Sequence, residues 1–170
     1  MPNIVILTNR QQYPYHPEMA AMAQSALQQL AHSVTVLDIN SEKFGHICLA
    51  RLKETNPDIL ITFDLAGFCF RTQSGENALN MLCTKNLNIL WGNKPEYAPL
   101  LSKKISLSML FYDASGTDNK LPLLYPNLLY YKVSSPIKQS AVSASDIAGN
   151  TNAFLSVWED FTREVLLSET

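Results

Sequence analysis

The chain has 170 residues, of which 46% are apolar and 16% charged, and its formal net charge is −2. This length suits one domain with a sizeable core, and the small net charge excludes a general attraction to nucleic acid or to an anionic membrane. The N-terminus shows no signal-peptide pattern, and no apolar run approaches the roughly 20 residues that span a bilayer. We therefore predict a cytoplasmic protein with no nucleic-acid partner and no membrane span.

Short, continuous apolar runs recur along the chain and alternate with helical patterns. Unbroken runs of this kind are typical of strands that are covered on both faces, as in a parallel sheet. The predicted strands are 4–7, 34–39, 59–63, 87–91 and 107–112, with a sixth near 128–133.

The intervening segments carry apolar residues at helical spacing. The predicted helices are 17–32, 41–55, 75–86, 95–104 and 151–167. Pro17 suits a first helical position, and Ser41 suits a cap for the second helix. In the third helix, Leu79, Leu82 and Met81 are expected to be buried. The Ser-rich stretch 134–145 is expected to be an exposed linker.

Alternating strands and helices with short connections predict right-handed crossovers. We therefore expect residues 1–170 to form a single α/β domain, a three-layer Rossmann-like (flavodoxin-like) sandwich with a mainly parallel sheet of five or six strands. With the strand order 2-1-3-4-5, the chain reverses direction between the first and third strands. A ligand site is expected there, beyond the carboxyl ends of the strands.

The loops at this predicted crevice bring hydrogen-bonding side chains together with three cations. Such a set suits a small anionic or sugar-like ligand. The alternative is that the cations are solvated loop residues and that Asp64 caps a turn. The tentative ligand-binding residues are Thr8, Asn9, Arg10, Asp64, Gly67, Arg71, Thr72, Asn93 and Lys94.

Several known nucleotide and catalytic motifs are absent from the sequence. The loop 8–16 after the first strand has no glycine, which argues against NAD, FAD and a flavodoxin-type phosphate loop, so we predict no cofactor. There is no P-loop pattern and no Gly-x-Ser-x-Gly. Asp64 invites comparison with response-regulator receiver domains, but Asn9 and Asp113 stand where those domains need an acid and a lysine.

Metal binding and acid–base catalysis also lack a clear pattern. The histidines have no metal-ligand spacing, and the three cysteines form no Cys-x-x-Cys, which favours reduced cysteines and no metal. His16, directly before Pro17, is interpreted as a helix-entry residue rather than a base. Asp64 and Asp113 are expected about two strand spacings apart, roughly 10 Å, which is too far for a shared metal. The catalytic residues, if any, are unknown.

The segments 61–68 (ITFDLAGF) and 77–80 (NALN) resemble a group of uncharacterised proteins of anaerobic Firmicutes. The resemblance continues at 106–112 (SLSMLFY) and 125–127 (YPN), which implies a bacterial protein. More distantly, Pro57-Asp58 before an apolar strand is similar to the N-terminal, acceptor-side half of GT-B glycosyltransferases of the spore-maturation type. That resemblance implies a module without the half that binds the sugar nucleotide.

Three hypotheses for function follow. The first is a module that binds a small ligand or a partner protein. The second is an enzyme, a transferase or hydrolase acting on a phosphorylated or glycosylated substrate. The third is a homo-oligomer that associates through the stripe Phe154, Trp158 and Phe161, although packing of that stripe on the sheet is the default expectation.

Overall fold

A computed structural model describes residues 2–40, 45–82, 85–102, 105, 109–115 and 121–166, with the backbone alone described at 45–49 and 165–166. Its sheet has six parallel strands in the order β2-β1-β3-β4-β5-β6. The strands are β1 Asn3–Thr8, β2 Ser33–Asp38, β3 Ile59–Phe63, β4 Lys85–Leu90, β5 Met109–Asp113 and β6 Leu129–Lys132.

Helices cover both faces of this sheet. One face packs against α1 and α5, and the other packs against α2, α3, α4 and a 3-10 turn. Side chains of alternate strand residues enter the two cores, so that Ile4 and Ile6 face α1 while Val5 and Leu7 face the opposite layer. The helices are α1 His16–Gln29, α2 Gly45–Thr55, α3 Tyr97–Leu101, α4 Leu121–Leu124 and α5 Ala144–Phe161; the 3-10 turn is Ala78–Met81, and a π-helical turn, Thr162–Leu166, follows α5.

The predicted fold class is confirmed, and the structure places the last strand at the edge of the sheet beside β5. β4 begins two residues earlier than predicted, and both of its asparagines, Asn86 and Asn88, are buried. The Thr62 hydroxyl donates to Asn88 Oδ1 at 2.7 Å, and Asn88 Nδ2 donates to the carbonyl of Leu110 at 3.1 Å. Residues 107 and 108 of the predicted fifth strand lie outside the described residues.

The helix predicted over 75–86 is wrong. The described residues of that range form the 3-10 turn and no α-helix, because Asn77 is extended and caps the turn by accepting a hydrogen bond from Leu79 N–H at 3.1 Å. Residues 83 and 84 lie outside the described residues. The chain must be extended again at Lys85, where β4 begins. Leu79 is buried as expected, but Met81 is 65% exposed.

The other helices differ from prediction mainly at their ends. α3 is shorter than the predicted 95–104, and α1 ends at Gln29 rather than at 32. The described part of the second helix begins at Gly45, and its predicted cap Ser41 lies outside the described residues.

The last helix begins seven residues earlier than predicted, within the Ser-rich stretch 134–145. Ser143 accepts a hydrogen bond from Asp146 N–H at 3.0 Å, which is a standard N-cap. The expected exposure of this stretch holds for Val142, at 88%, but not for Ile137, at 1%. Ile137 N–H donates to the carbonyl of Ala114 at 2.9 Å. Part of the stretch is therefore attached to the sheet.

The stripe of α5 proposed as a dimer interface lies in the core of the single chain. Phe154, Trp158 and Phe161 are all buried in the cluster that joins α5 to α1 and the sheet. These side chains are not accessible to a second copy, which corrects the prediction of a homodimer through them. Among the described residues, no helix is long and apolar enough to cross a membrane.

Candidate functional site

Asp64 lies directly after β3, at the carboxyl edge of the sheet beside the reversal between β1 and β3. Its φ is 52° and that of Leu65 is 61°, so two consecutive residues occupy the left-handed region. Aspartate tolerates this conformation better than most residues, whereas leucine rarely adopts it. The tight turn directs the Asp64 carboxylate to the interior, where its side chain is fully buried.

Four side chains donate hydrogen bonds to this carboxylate. Tyr15 hydroxyl and His16 Nε2 donate to Oδ2, the latter at 2.9 Å. Tyr97 hydroxyl and Lys94 Nζ donate to Oδ1, the latter at 3.0 Å. A carboxylate has about four lone-pair positions, so this set fills them. We call Asp64 with these four residues the Asp64 cluster.

His16 is the first residue of α1, and its imidazole is completely buried. The backbone N–H of Asn9 donates to His16 Nδ1 at 2.9 Å, so Nδ1 carries no proton. Nε2 must then carry the proton that it donates to Asp64. The Tyr13 ring stacks on the imidazole at 4.8 Å between centroids. His16 thus joins the β1–α1 loop to β3 as a neutral residue with both nitrogens occupied.

Lys94 supplies the positive charge of the cluster. Its ammonium donates to Tyr15 hydroxyl at 2.8 Å and lies 4.8 Å from the centre of the Tyr13 ring, within cation–π range. Gln139 Nε2 also donates to Tyr15 hydroxyl, at 2.9 Å, and thereby attaches the loop before α5 to the cluster. The Lys94 side chain is 24% exposed, so one part of this ion pair reaches solvent.

The cluster holds Asp64 ionised. Burial alone raises the pKa of the Asp64 carboxyl, but the hydrogen bonds from His16, Tyr15 and Tyr97 and the charge of Lys94 outweigh it, and the pKa is lowered. Burial, followed by the charge of Asp64, raises the pKa of Tyr15 and Tyr97 far above the ordinary value for tyrosine. Both phenols therefore remain protonated donors at any physiological pH.

A cleft of about 210 Å³ opens above the cluster. Loops after β1 and β3 form two of its sides, and the segment 96–100 forms the third. Its polar rim contains Asn9, Gln12 and Glu96, and its apolar walls contain Ile39, Leu65, Ala66, Pro99 and Leu100; Tyr13, Asp64, Gly67 and Cys69 complete the lining. We call it the Asp64 cleft.

Of the predicted site residues, Asn9, Asp64 and Gly67 line this cleft, and Lys94 contacts its floor. Gly67 has a φ of 88°, a conformation that favours glycine, and a Cβ there would lie 2.7 Å from Leu7 Cδ1, so a larger residue would strain the backbone and displace the Leu7 side chain. Thr8 and Arg10 instead surround Asp38 at the end of β2. Thr8 hydroxyl donates to Asp38 Oδ2 at 2.7 Å, and Arg10 N–H does so at 2.9 Å.

The remaining predicted residues lie outside the cleft lining. Thr72 closes a turn in which its hydroxyl accepts a hydrogen bond from Glu76 N–H at 3.2 Å, and Arg71 pairs with Asn77 in an isolated antiparallel bridge. Asn93 is exposed. The predicted crevice therefore divides into the Asp64 cleft, the Asp38 contacts and the turn that contains Arg71.

Sequence reasoning missed the aromatic members of the site. Tyr15 and Tyr97 donate directly to Asp64, and His16 does so from the position interpreted as a helix entry. Tyr97 appeared only as a buried apolar position of its helix. A signal was present in the sequence, since Tyr13, Tyr15 and His16 form an aromatic group in the loop after the first strand.

The arrangement supports binding better than acid–base or metal chemistry. All acceptor positions of Asp64 are filled, and both nitrogens of His16 are bonded and buried. Asp113 lies on β5, with β4 between it and β3, and its Oδ1 accepts from Gly92 N–H at 3.1 Å. The two carboxylates are thus separated by an intervening strand, as predicted. Within the described part of the chain, no cluster of three or more His, Cys, Asp or Glu is arranged to hold a metal.

No protein-family model matches this chain, and neither does any curated protein. Among solved structures, a similar chain is a Klebsiella pneumoniae protein provisionally assigned as a quinone reductase. It is 12% identical, the match covers 95% of this chain and 85% of that one, and the TM-score is 0.44. We draw no functional conclusion from a likeness of this degree, and the resemblance to Firmicutes proteins and glycosyltransferases stays a prediction.

Proposed function

We propose that this protein is a binding module that holds a small polar ligand in the Asp64 cleft. The observation that carries the proposal is a concave site at the reversal point of a parallel sheet, above a floor fixed by the Asp64 cluster. Ligands of open α/β sheets bind at such reversal points. A floor whose hydrogen bonds are already satisfied costs little to organise when a ligand arrives.

The size and lining of the cleft indicate the ligand class. Sites for drug-sized ligands have volumes of about 300–1,000 Å³, so a cleft of about 210 Å³ suits a group the size of a monosaccharide rather than a dinucleotide. One wall is apolar, whereas Asn9, Gln12 and Glu96 offer hydrogen-bonding groups at the rim. A sugar ring has the same division between an apolar face and hydroxyl edges.

The sequence resemblance supports the same class of ligand. A module related to the acceptor half of a GT-B glycosyltransferase would bind a sugar or a glycosylated compound. The motif of that resemblance, Pro57-Asp58, leads into β3, and β3 ends directly before Asp64, which lines the cleft. We therefore propose a sugar-like ligand at this edge of the sheet.

Thermal unfolding in the presence of simple sugars, sugar phosphates, nucleotides and nucleotide sugars tests the proposal. A ligand at about 100 times its Kd stabilises the fold by about 2.7 kcal/mol, which is a readily measured shift in Tm. We expect a sugar or sugar derivative to raise the Tm. If no compound in the panel raises it, the cleft is not a small-ligand site of this class.

A cleft-filling variant locates the binding site. Leu100 is half-buried in the cleft wall, so Leu100→Trp should abolish the shift by occupying the space of the ligand. Leu123→Trp is the matched control because Leu123 is 82% exposed on α4 and is not part of the cleft lining. Equal shifts in both variants would place the ligand elsewhere.

A further inference from the structure

We infer that Arg71 and Asn77 form a binding site for an oxyanion, a carboxylate or a phosphate group, beside the Asp64 cleft. Arg71 Nη1 and Asn77 Nδ2 are both buried, and neither atom has a hydrogen-bond partner among the residues that the structure describes. Buried donors without an acceptor cost about 1–3 kcal/mol each, and more when the group is charged, so native proteins rarely leave them unpaired. Two such donors on paired residues indicate that a bound ligand supplies the acceptor.

The backbone holds Arg71 and Asn77 side by side. Arg71 and Asn77 are opposite each other in an isolated antiparallel bridge, an arrangement that brings Cβ atoms to roughly 4.5–5.5 Å. The turn between them is closed by Thr72 N–H, which donates to the carbonyl of Glu76 at 2.9 Å. The pair is thus fixed by main-chain contacts and does not depend on a ligand for its position.

The orientation of the Asn77 amide is fixed as well. Asn77 is completely buried, and its Oδ1 accepts from Leu79 N–H at 3.1 Å as the cap of the 3-10 turn. Oδ1 and Nδ2 of one amide point in different directions, so the unpaired NH₂ group is directed away from that turn. Exchanging the two atoms would break the cap, which leaves Nδ2 as a committed donor.

The chemistry of the pair selects an oxyanion. A guanidinium presents parallel N–H groups that match the two oxygens of a carboxylate or phosphate, and the amide adds a neutral donor. No described carboxylate forms an ion pair with Arg71. The positive charge is therefore available for a ligand.

The site adjoins the cleft through Cys69. Arg71 follows Cys69 by two residues, and its positive charge opposes the rise that burial causes in the pKa of the Cys69 thiol. Cys69 itself lines the cleft. We assign the oxyanion to the ligand of the cleft, which makes that ligand a sugar acid or a sugar phosphate. This assignment rests on the proposed function, whereas the oxyanion site itself does not.

The test uses Asn77→Asp, which places an acceptor opposite Arg71 while keeping an oxygen to cap Leu79 N–H. We expect Asn77→Asp to raise the Tm by a few degrees and to abolish the effect of added oxyanion. In the wild type, inorganic phosphate or acetate should raise the Tm relative to sodium chloride of equal ionic strength. The larger of the two shifts identifies the group as phosphate or carboxylate.

Two further variants separate this site from general anion effects. Arg71→Ala should lose the response to phosphate and acetate without losing stability, because it removes a buried Nη1 donor that has no partner among the described residues. Arg10→Ala is the matched control, since Arg10 is an exposed arginine beside Asp38, and it should retain the response.

Equal responses in wild type, Arg71→Ala and Asn77→Asp would overturn the site, as would a lower Tm for Asn77→Asp. A response to phosphate or acetate that depends on Arg71, in a protein that no sugar derivative stabilises, would support the oxyanion site and contradict the proposed function. A failure of the oxyanion site and a failure of the proposed function therefore give different experimental results.

Discussion

At the scale of single residues, Asp64 organises the site because it combines a left-handed backbone with a buried charge. Its turn gives the carboxylate access to the β1–α1 loop, to Lys94 and to α3 at once. A buried carboxylate is costly unless it is paired and hydrogen-bonded, and here both conditions are met. The cluster thus fixes three loops that form the cleft.

Asp64→Asn should lower the free energy of unfolding by about 3 kcal/mol, near the lower end for a broken buried ion pair because Lys94 is partly exposed. Asparagine tolerates the left-handed backbone, so the change isolates the effect of charge. Its NH₂ group also faces donors instead of accepting from them. Urea unfolding measures the change.

The control for this prediction is Asp160→Asn, which removes an exposed carboxylate paired with Arg163. Exposed pairs contribute about 0–1 kcal/mol, so this variant should be nearly neutral. Equal effects of Asp64→Asn and Asp160→Asn would contradict a stabilising role for the buried cluster.

The sequence predicted some residues of the site and not others for a physical reason. Asp64 and Lys94 could be placed together because strand order alone brings their loops to one edge. The contacts of Tyr15 and Tyr97 depend on how far each helix start extends toward the strand ends. Strand order does not determine that distance, so those contacts required side-chain positions.

At the scale of elements, the end of α1 carries an unrelieved backbone strain. His32 N–H donates to the carbonyl of Leu27, and Ala31 N–H donates to that of Gln28, which together form a Schellman motif. Ala31 occupies the left-handed position with a φ of 64°, where glycine is preferred. The motif explains why the helix ends before the predicted residue 32.

Ala31→Gly should therefore raise the free energy of unfolding by about 0.5–1 kcal/mol. The left-handed conformation costs an L-residue about 1–2 kcal/mol, and the greater conformational entropy that glycine loses on folding offsets part of the relief. Thermal or urea unfolding measures the gain. Ala153→Gly, in the middle of α5, is the opposite control and should destabilise the protein. A loss of stability in Ala31→Gly would contradict the assigned strain.

The predicted elements that failed are those in which a polar residue has a specific partner. Asn77 was included in a predicted helix, although it is extended and caps the 3-10 turn. Ser143 was included in a linker, although it caps the start of α5 by accepting from Asp146 N–H. Secondary-structure propensity describes how such residues behave when they are exposed to solvent. A hydrogen-bond partner in the core or at a helix cap overrides that propensity.

At the scale of the whole molecule, acidification should destabilise the fold in two stages. Burial lowers the pKa of His32 below its ordinary 6.5, so its contribution to stability is present above that pH and is lost as the pH falls through it. The lowered pKa values of Asp38 and Asp64 give contributions that are present above 3.8 and are lost at still lower pH.

We therefore expect the free energy of unfolding to fall below pH 6.5 and again below about pH 4. Urea unfolding at a series of pH values measures both stages. His32→Phe keeps a ring against Trp158, which now lies 5.4 Å from the imidazole, and should reduce the first stage. An unchanged first stage in this variant would exclude His32 as its source.

The fold class was predictable from the whole sequence because β-branched runs and helical stripes recur at regular intervals. The ligand could not be predicted from the sequence, because the cleft forms where loops from distant parts of the chain meet. Residues from Asn9 to Leu100 contribute to it, and their spacing along the sequence carries no recognisable motif.

The central claim is that the Asp64 cleft binds a sugar-like ligand, and amide chemical-shift mapping by NMR tests it most directly. On titration with a compound that raises the Tm, we predict the largest shifts at Gln12, Tyr13, Leu65, Gly67 and Leu100, which surround the cleft. Shifts confined to other surfaces, such as α4 or the exposed start of α5, would contradict the claim.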